Sequence, residues 1–160
     1  MNRQQYGMLT IVSLGMSSLI GLFSILRYSI LLAVLYLCIL GMSVLVMLYS
    51  FCGKCRCRDT TCGHVIPGML TGYLPRRMSG RYTAADQIGV VFPAAISLLF
   101  PQYWLVRDLW FFSAFWILFI GTVMGIRGRV CPGCTNRYCP CRIVPLKEKE
   151  PDQPETETPG

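Results

Sequence analysis

The stretch that decides the fold runs from Met8 to Phe51, MLTIVSLGMSSLIGLFSILRYSILLAVLYLCILGMSVLVMLYSF, and carries a single charged residue, Arg27. As one straight helix rising 1.5 Å per residue it would reach about twice the ~30 Å hydrocarbon thickness of a bilayer. It must therefore fold back, and Arg27 marks where. An arginine costs about 2.5–3.5 kcal/mol at the membrane centre but little at its boundary. Two spans are expected, Tyr6–Leu26 and Ser29–Phe51, joined at a turn holding Arg27. Cleavable signal peptides have apolar cores of about 7–15 residues. This run is longer and continues beyond them, so it is expected to stay in the protein.

The second half repeats the pattern. Thr83 followed by Asp86 has capping-box spacing and sets the acid near the positive end of a helix. An apolar run then continues through Ile88 to Phe100, where Pro101-Gln102 signals a turn. Tyr103, Trp104 and Trp110 flank Arg107-Asp108 and read as an interfacial aromatic belt. A last span is expected from Leu105 to Ile126, and Pro93 is expected to kink the one before it.

The bulk composition agrees. Of 160 residues 53% are hydrophobic and only 14% charged, against about 25% charged in soluble domains. The net charge of +7 does not imply nucleic acid, because no basic stripe is interleaved with stacking aromatics. The cations lie beside the apolar runs, where anionic headgroups are the nearer partner.

The expected fold class is thus an all-α integral membrane protein with four transmembrane helices arranged as two hairpins. Residues 1–51 form the first hairpin, 52–82 a cysteine-rich loop, 83–126 the second hairpin, 127–146 a cysteine-rich knuckle and 147–160 a polar, proline-rich disordered tail. Arg27 and Arg107 lie 80 positions apart, while Cys52 and Cys131, like Cys55 and Cys134, lie 79 apart. That echo fits a parallel internal repeat, and equally any four-span chain with terminal loops.

Thirteen of the fifteen lysines and arginines flank the two cysteine clusters and the N-terminus; Arg27 and Arg107 lie at the opposite turns. Four spans return the chain to its starting side. The positive-inside bias then makes both clusters and both termini cytoplasmic, in a plasma or inner membrane. Reduced cytosolic thiols read as metal ligands before disulfides.

Cys52-x2-Cys55 and Cys131-x2-Cys134 have knuckle spacing, and with Cys57, Cys62, Cys139 and Cys141 each cluster holds four thiols. Such sets suit tetrahedral zinc, with an iron–sulfur cluster as the alternative. Spacing leaves open one shared site or two local ones. His64 is a further candidate ligand or a plain headgroup-level histidine, and Cys38, mid-span, reads as a packing residue.

The segment VIPGMLTGYLPRRMSGRY is too broken to span. It is expected on the membrane surface, with Met69, Leu70, Tyr73 and Leu74 dipping in and Arg76 and Arg77 at the phosphates. Gly121-x3-Gly125 permits close approach of a helix from this chain or from another subunit, as do Ser13, Ser17 and Gly21.

Nearly nothing ionisable lies within the spans, which disfavours an ion pump and, without intramembrane histidine, bound haem. No catalytic constellation assembles. The sequence therefore points to a non-catalytic accessory or scaffold subunit with a cysteine-ligated metal. Membrane electron transfer and thiol–disulfide exchange are the rivals.

Overall fold

The computed structural model describes residues 2–55, 63–75, 77 and 81–132. All regular structure among them is helical. Six α-helices follow in order: α1 Arg3–Leu26, α2 Ile30–Ser50, α3 Val65–Thr71, α4 Ala84–Leu99, α5 Gln102–Leu105 and α6 Leu109–Gly125. A 3-10 turn at Cys52–Lys54 extends α2, and a π-turn at Ile126–Val130 extends α6. With these extensions four helices are long and apolar enough to cross a membrane: Arg3–Leu26, Ile30–Lys54, Ala84–Leu105 and Leu109–Val130.

Helices α2, α4 and α6 start where a side chain satisfies orphan amides. Ser29 accepts from the Leu32 amide at 3.5 Å. Thr83 and Asp86 cap each other reciprocally at the head of α4. Asp108 accepts from the Trp110 amide at 3.2 Å, so the last long helix starts at Leu109. The expected start at Leu105 is displaced because Gln102–Leu105 folds as a helical turn of its own after Pro101. Helix α4 continues through Pro93, with the proline inside it and buried.

The helices meet in an open row. Helix α2 packs on α4 and on α1, and α1 packs on α6. Among the described residues α4 and α6 do not pack on each other; α5 joins them where it crosses α1. The helices of the first hairpin touch each other and those of the second do not, each packing instead on one helix of the first, so the two halves are packed differently.

Small hydroxyl residues make the seams. Thr10, Ser17 and Ser24 are buried at every seventh position of α1, and Tyr36, Ser43 and Ser50 recur likewise on α2. A seven-residue repeat keeps one seam facing a neighbour over several turns. The α1 hydroxyls donate to carbonyls of their own helix, Thr10 to Gly7 at 2.8 Å, Ser17 to Leu14 at 2.9 Å and Ser24 to Ile20 at 2.9 Å. So satisfied, they let backbones approach closely in an apolar medium.

Across α2 and α4 the bonds are interhelical. The Tyr36 hydroxyl donates to the Ser97 carbonyl at 3.2 Å, and Ser97 Oγ donates to Ser43 Oγ at 2.9 Å. Interhelical bonds of this type average about 0.6 kcal/mol in membrane proteins. Ser43→Ala is accordingly expected to lower resistance to unfolding in mixed micelles by about that amount, and a loss several times larger would mean that Ser43 also fills space.

At the end holding the two arginine turns, Ile25, Ala33 and Tyr36 form a buried core flanked by Phe100 and Trp104. Gly21 lets the elements approach closely there. A Cβ on it would stand 3.2 Å from Pro101 Cβ and 3.3 Å from the Tyr36 hydroxyl. Arg27 pairs with Asp108 at 3.5 Å, and Arg107 lies over the Tyr28 and Tyr103 rings at 5.3 and 4.7 Å. Trp104 packs on Phe100 and Tyr103, while Trp110 is 87% exposed. Arg27 and Arg107 thus share one end of the molecule.

Candidate functional site

The opposite end gathers the start of α1, the end of α2, the start of α4 and the end of α6. Cys52 and Cys55 occupy a tight turn closed by the Cys55 amide donating to the Cys52 carbonyl at 3.1 Å. Cys131 follows the π-turn, its amide donating to the Ile126 carbonyl at 2.8 Å.

Between the first two cysteines stands Lys54, and it sets the turn in place. Its ammonium lies 2.5 Å from Asp86 Oδ2. Asp86 is 2% exposed and accepts three further bonds. Arg77 Nη1 donates to Oδ1 at 2.8 Å, and the Thr83 amide and hydroxyl donate to Oδ2 at 2.9 and 2.8 Å. A buried carboxylate is tolerated when it is paired and its oxygens are satisfied in this way.

Arg77 does more. Its amide donates to the Gly53 carbonyl at 3.2 Å, and its guanidinium lies 4.8 Å over the Tyr49 ring. Arg77, expected at the lipid phosphates, has its head group turned onto Asp86 and Tyr49. Nearby, Phe51 and Tyr82 stack at 4.6 Å, and the Tyr82 hydroxyl donates to the Phe51 carbonyl at 3.2 Å. The cysteine turn is therefore fastened to the head of α4 by ions, rings and backbone together.

His64 sits at a second junction. Gly7 of α1 approaches the loop so closely that a Cβ on it would stand 1.9 Å from the Gly63 carbonyl oxygen. A Cβ on Gly63 would meet Val130 Cγ1 at 2.6 Å and Arg3 Nε at 3.0 Å. Two glycines thus let α1, the loop and the end of α6 touch, next to His64 and next to Cys131. Burial of the imidazole pushes its pKa below the ordinary histidine value; a bond with the Gly7 backbone opposes this, and Arg3 reinforces it. Its Nδ1 atom is buried and has no hydrogen-bond partner among the described residues.

The four spans therefore bring Cys52, Cys55, His64 and Cys131 to one end, while Cys38 lies on an outward face of α2. Among the described residues no three cysteine, histidine, aspartate or glutamate side chains are close enough to hold an ion. Cys57, Cys62, Cys134, Cys139, Cys141 and Arg76 lie outside the described residues, as do most of the 127–146 knuckle and the whole 147–160 tail.

Of the glycine pair in α6, Gly125 is used internally, since a Cβ there would stand 3.1 Å from Thr10 Cγ2. Gly121 has nothing within 4 Å of its Cβ position and faces outward. The Asp86 cluster is what the sequence reading missed. One signal was present: only Asp59, Asp86 and Asp108 precede the acidic tail in a chain crowded with cations. An acid so scarce, next to an apolar span, needs a partner.

No family model, curated protein or solved structure matches the chain.

Proposed function

We propose that this chain is a small four-span protein of a plasma or inner membrane whose cysteine-bearing end faces the cytoplasm and binds a metal through thiolates, zinc first. Its role is that of a non-catalytic accessory or scaffold subunit in a membrane assembly. The observation that carries this reading is the convergence of the Cys52–Cys55 turn, His64 and Cys131 at one end of the helices, together with the buried Nδ1 of His64, which has no hydrogen-bond partner among the described residues. A neutral imidazole nitrogen of that kind is a metal donor.

The residues that would hold the ion are drawn from Cys52, Cys55, Cys57, Cys62, Cys131, Cys134, Cys139, Cys141 and His64. A bound zinc would act as a structural clasp across the ends of the spans, as closed four-ligand sites do. Orientation rests on the basic residues of that end, which include Arg3, Lys54, Arg77, Arg81, Arg127 and Arg129. The outward Gly121 face of α6 is where a helix of another subunit, or a second copy, would approach most closely.

Elemental analysis with an absorbance spectrum of the detergent-purified protein tests the metal. Stoichiometric zinc without visible absorption is expected. Broad sulfur-to-iron absorption would replace it with an iron–sulfur electron-transfer subunit, and titratable thiols without metal would favour thiol–disulfide chemistry. Cys131→Ser is expected to lower both metal content and thermal stability if the second knuckle contributes; unchanged values would restrict ligation to the first loop. Labelling of intact cells by an impermeant maleimide should fail from outside, and ready labelling would overturn the cytoplasmic assignment.

A further inference from the structure

The described part of the segment between the cysteine turn and α4 is fastened at several points. At its base the Arg77 amide is bonded to the Gly53 carbonyl and the Arg77 guanidinium to Asp86. Residues 53 and 77 are thereby neighbours, and the chain between them returns on itself. Gly63 is wedged against Gly7, Arg3 and Val130. Thr71, the last residue of α3, has no exposed surface, and its hydroxyl donates to the Gly68 carbonyl at 2.7 Å. Helix α3 itself rests on α1, α2 and the cysteine turn.

The other side of α3 is covered by none of the described residues. Met69 is 71% exposed and Tyr73 92%, and Ile66 and Leu70 are exposed beside them. Four large apolar side chains within eight residues are poorly placed in water. Their position resolves this, because α3 packs against two spanning helices at the end where the chain leaves the bilayer.

The charges nearby select the kind of surface. Arg81, Arg127 and Arg129 are exposed at this end. The described acid here is Asp86, buried and engaged by Lys54 and Arg77. The accessible charge among the described residues of this end is therefore positive, next to an uncovered apolar patch. Apolar side chains flanked by exposed arginines match the headgroup–acyl boundary of an anionic leaflet.

We propose that α3 is a foot planted in the leaflet on the cysteine-bearing side. Ile66, Met69, Leu70 and Tyr73 enter the acyl boundary, and Arg81, Arg127 and Arg129 bind anionic lipid phosphates. The fastening through Gly53, Arg77 and Asp86 sets the height of the foot, so the cysteine turn is held at headgroup level. This proposal does not depend on a metal.

The test places the photo-crosslinking residue benzoylphenylalanine at Met69 or Tyr73 in the full chain. Both positions are exposed, so the variants should fold. The protein is reconstituted in mixed phosphatidylcholine–phosphatidylglycerol vesicles and irradiated, with Ile117, 70% exposed on α6, as the lipid-facing control. Lipid adducts at both Met69 and Tyr73, in yields comparable to the control, are expected. Adducts of twice the chain mass would mean that a second copy covers the patch, and absence of lipid adducts would mean that it faces water; either result overturns the proposal. Arg127→Gln with Arg129→Gln is expected to lower the adduct yield at Tyr73 several-fold in the mixed vesicles, while an unchanged yield would overturn the assignment to anionic phosphates.

Discussion

Asp86→Ala should be among the most damaging single substitutions in this protein, lowering its resistance to unfolding by about 3 kcal/mol. Removing one partner from a buried ion pair typically costs about 3–5 kcal/mol, because the remaining charge is left uncompensated. The lower end applies because Lys54 and Arg77 retain 12% and 31% of their side-chain exposure and regain some water. The substitution also removes the carboxylate half of the α4 capping box, bonded to the Thr83 amide at 2.9 Å. Asp86→Asn can keep a neutral acceptor there and should lie between the two. Lys54→Met should cost less than Asp86→Ala, since Arg77 and Thr83 still satisfy the carboxylate. Denaturant titration in mixed micelles reads all three. An Asp86→Ala loss below about 0.5 kcal/mol, the range of ordinary surface changes, would mean that the cluster does not hold the loop to α4.

Gly7→Ala is the second large effect, although it adds one methyl group. The new carbon would lie 1.9 Å from the Gly63 carbonyl oxygen and 2.8 Å from its carbon. Both atoms belong to the backbone and cannot rotate away, so either α1 or the loop must move. Overpacking of this kind costs about 1–3 kcal/mol, and about 2 is expected here. The diagnostic change is local. Amide exchange in residues 63–75 should accelerate, while that in the middle of α2 should not. Gly63→Ala meets a side chain, Val130 Cγ1 at 2.6 Å, and should be milder because valine has some room to adjust. Unaltered exchange in Gly7→Ala would show that α1 and the loop do not touch.

The number of spans and the position of their turns were legible in the sequence because lipid enforces a length on apolar segments and tolerates arginine only at the boundary. Arg27 and Arg107 do lie together at one end. The Thr83–Asp86 spacing announced a helix start for a local reason, since a capping box is complete within four residues. The order of the helices was not legible. A helix in lipid is apolar on its outward face as well as its inward one, so hydrophobic periodicity does not mark the partner. Ser17 and Gly21 were correctly singled out for close packing on α1, but Thr10 and Ser24 complete the buried seam and Ser13 is only half-buried.

The candidate site was legible as a set of thiols and illegible as an arrangement. Nothing local announces that Lys54 will cross to Asp86, 32 positions later. Nor does the sequence reveal that the glycines at 7 and 63 exist to let two backbones meet. Arg77 was expected at the membrane surface because its neighbours are apolar and basic; its bond to the desolvated Asp86 carboxylate could not be read from that local pattern.

The open row of helices has a bearing on transport. Helices α4 and α6 flank the α1–α2 pair without meeting, and the hydroxyl groups along the seams point into helix contacts, not toward a shared axis. The described part of a single copy is thus laid out more as a plank than as a barrel. Any permeation pathway built from these helices would have to be lined by several copies standing edge to edge, or by this plank set against the wall of another protein.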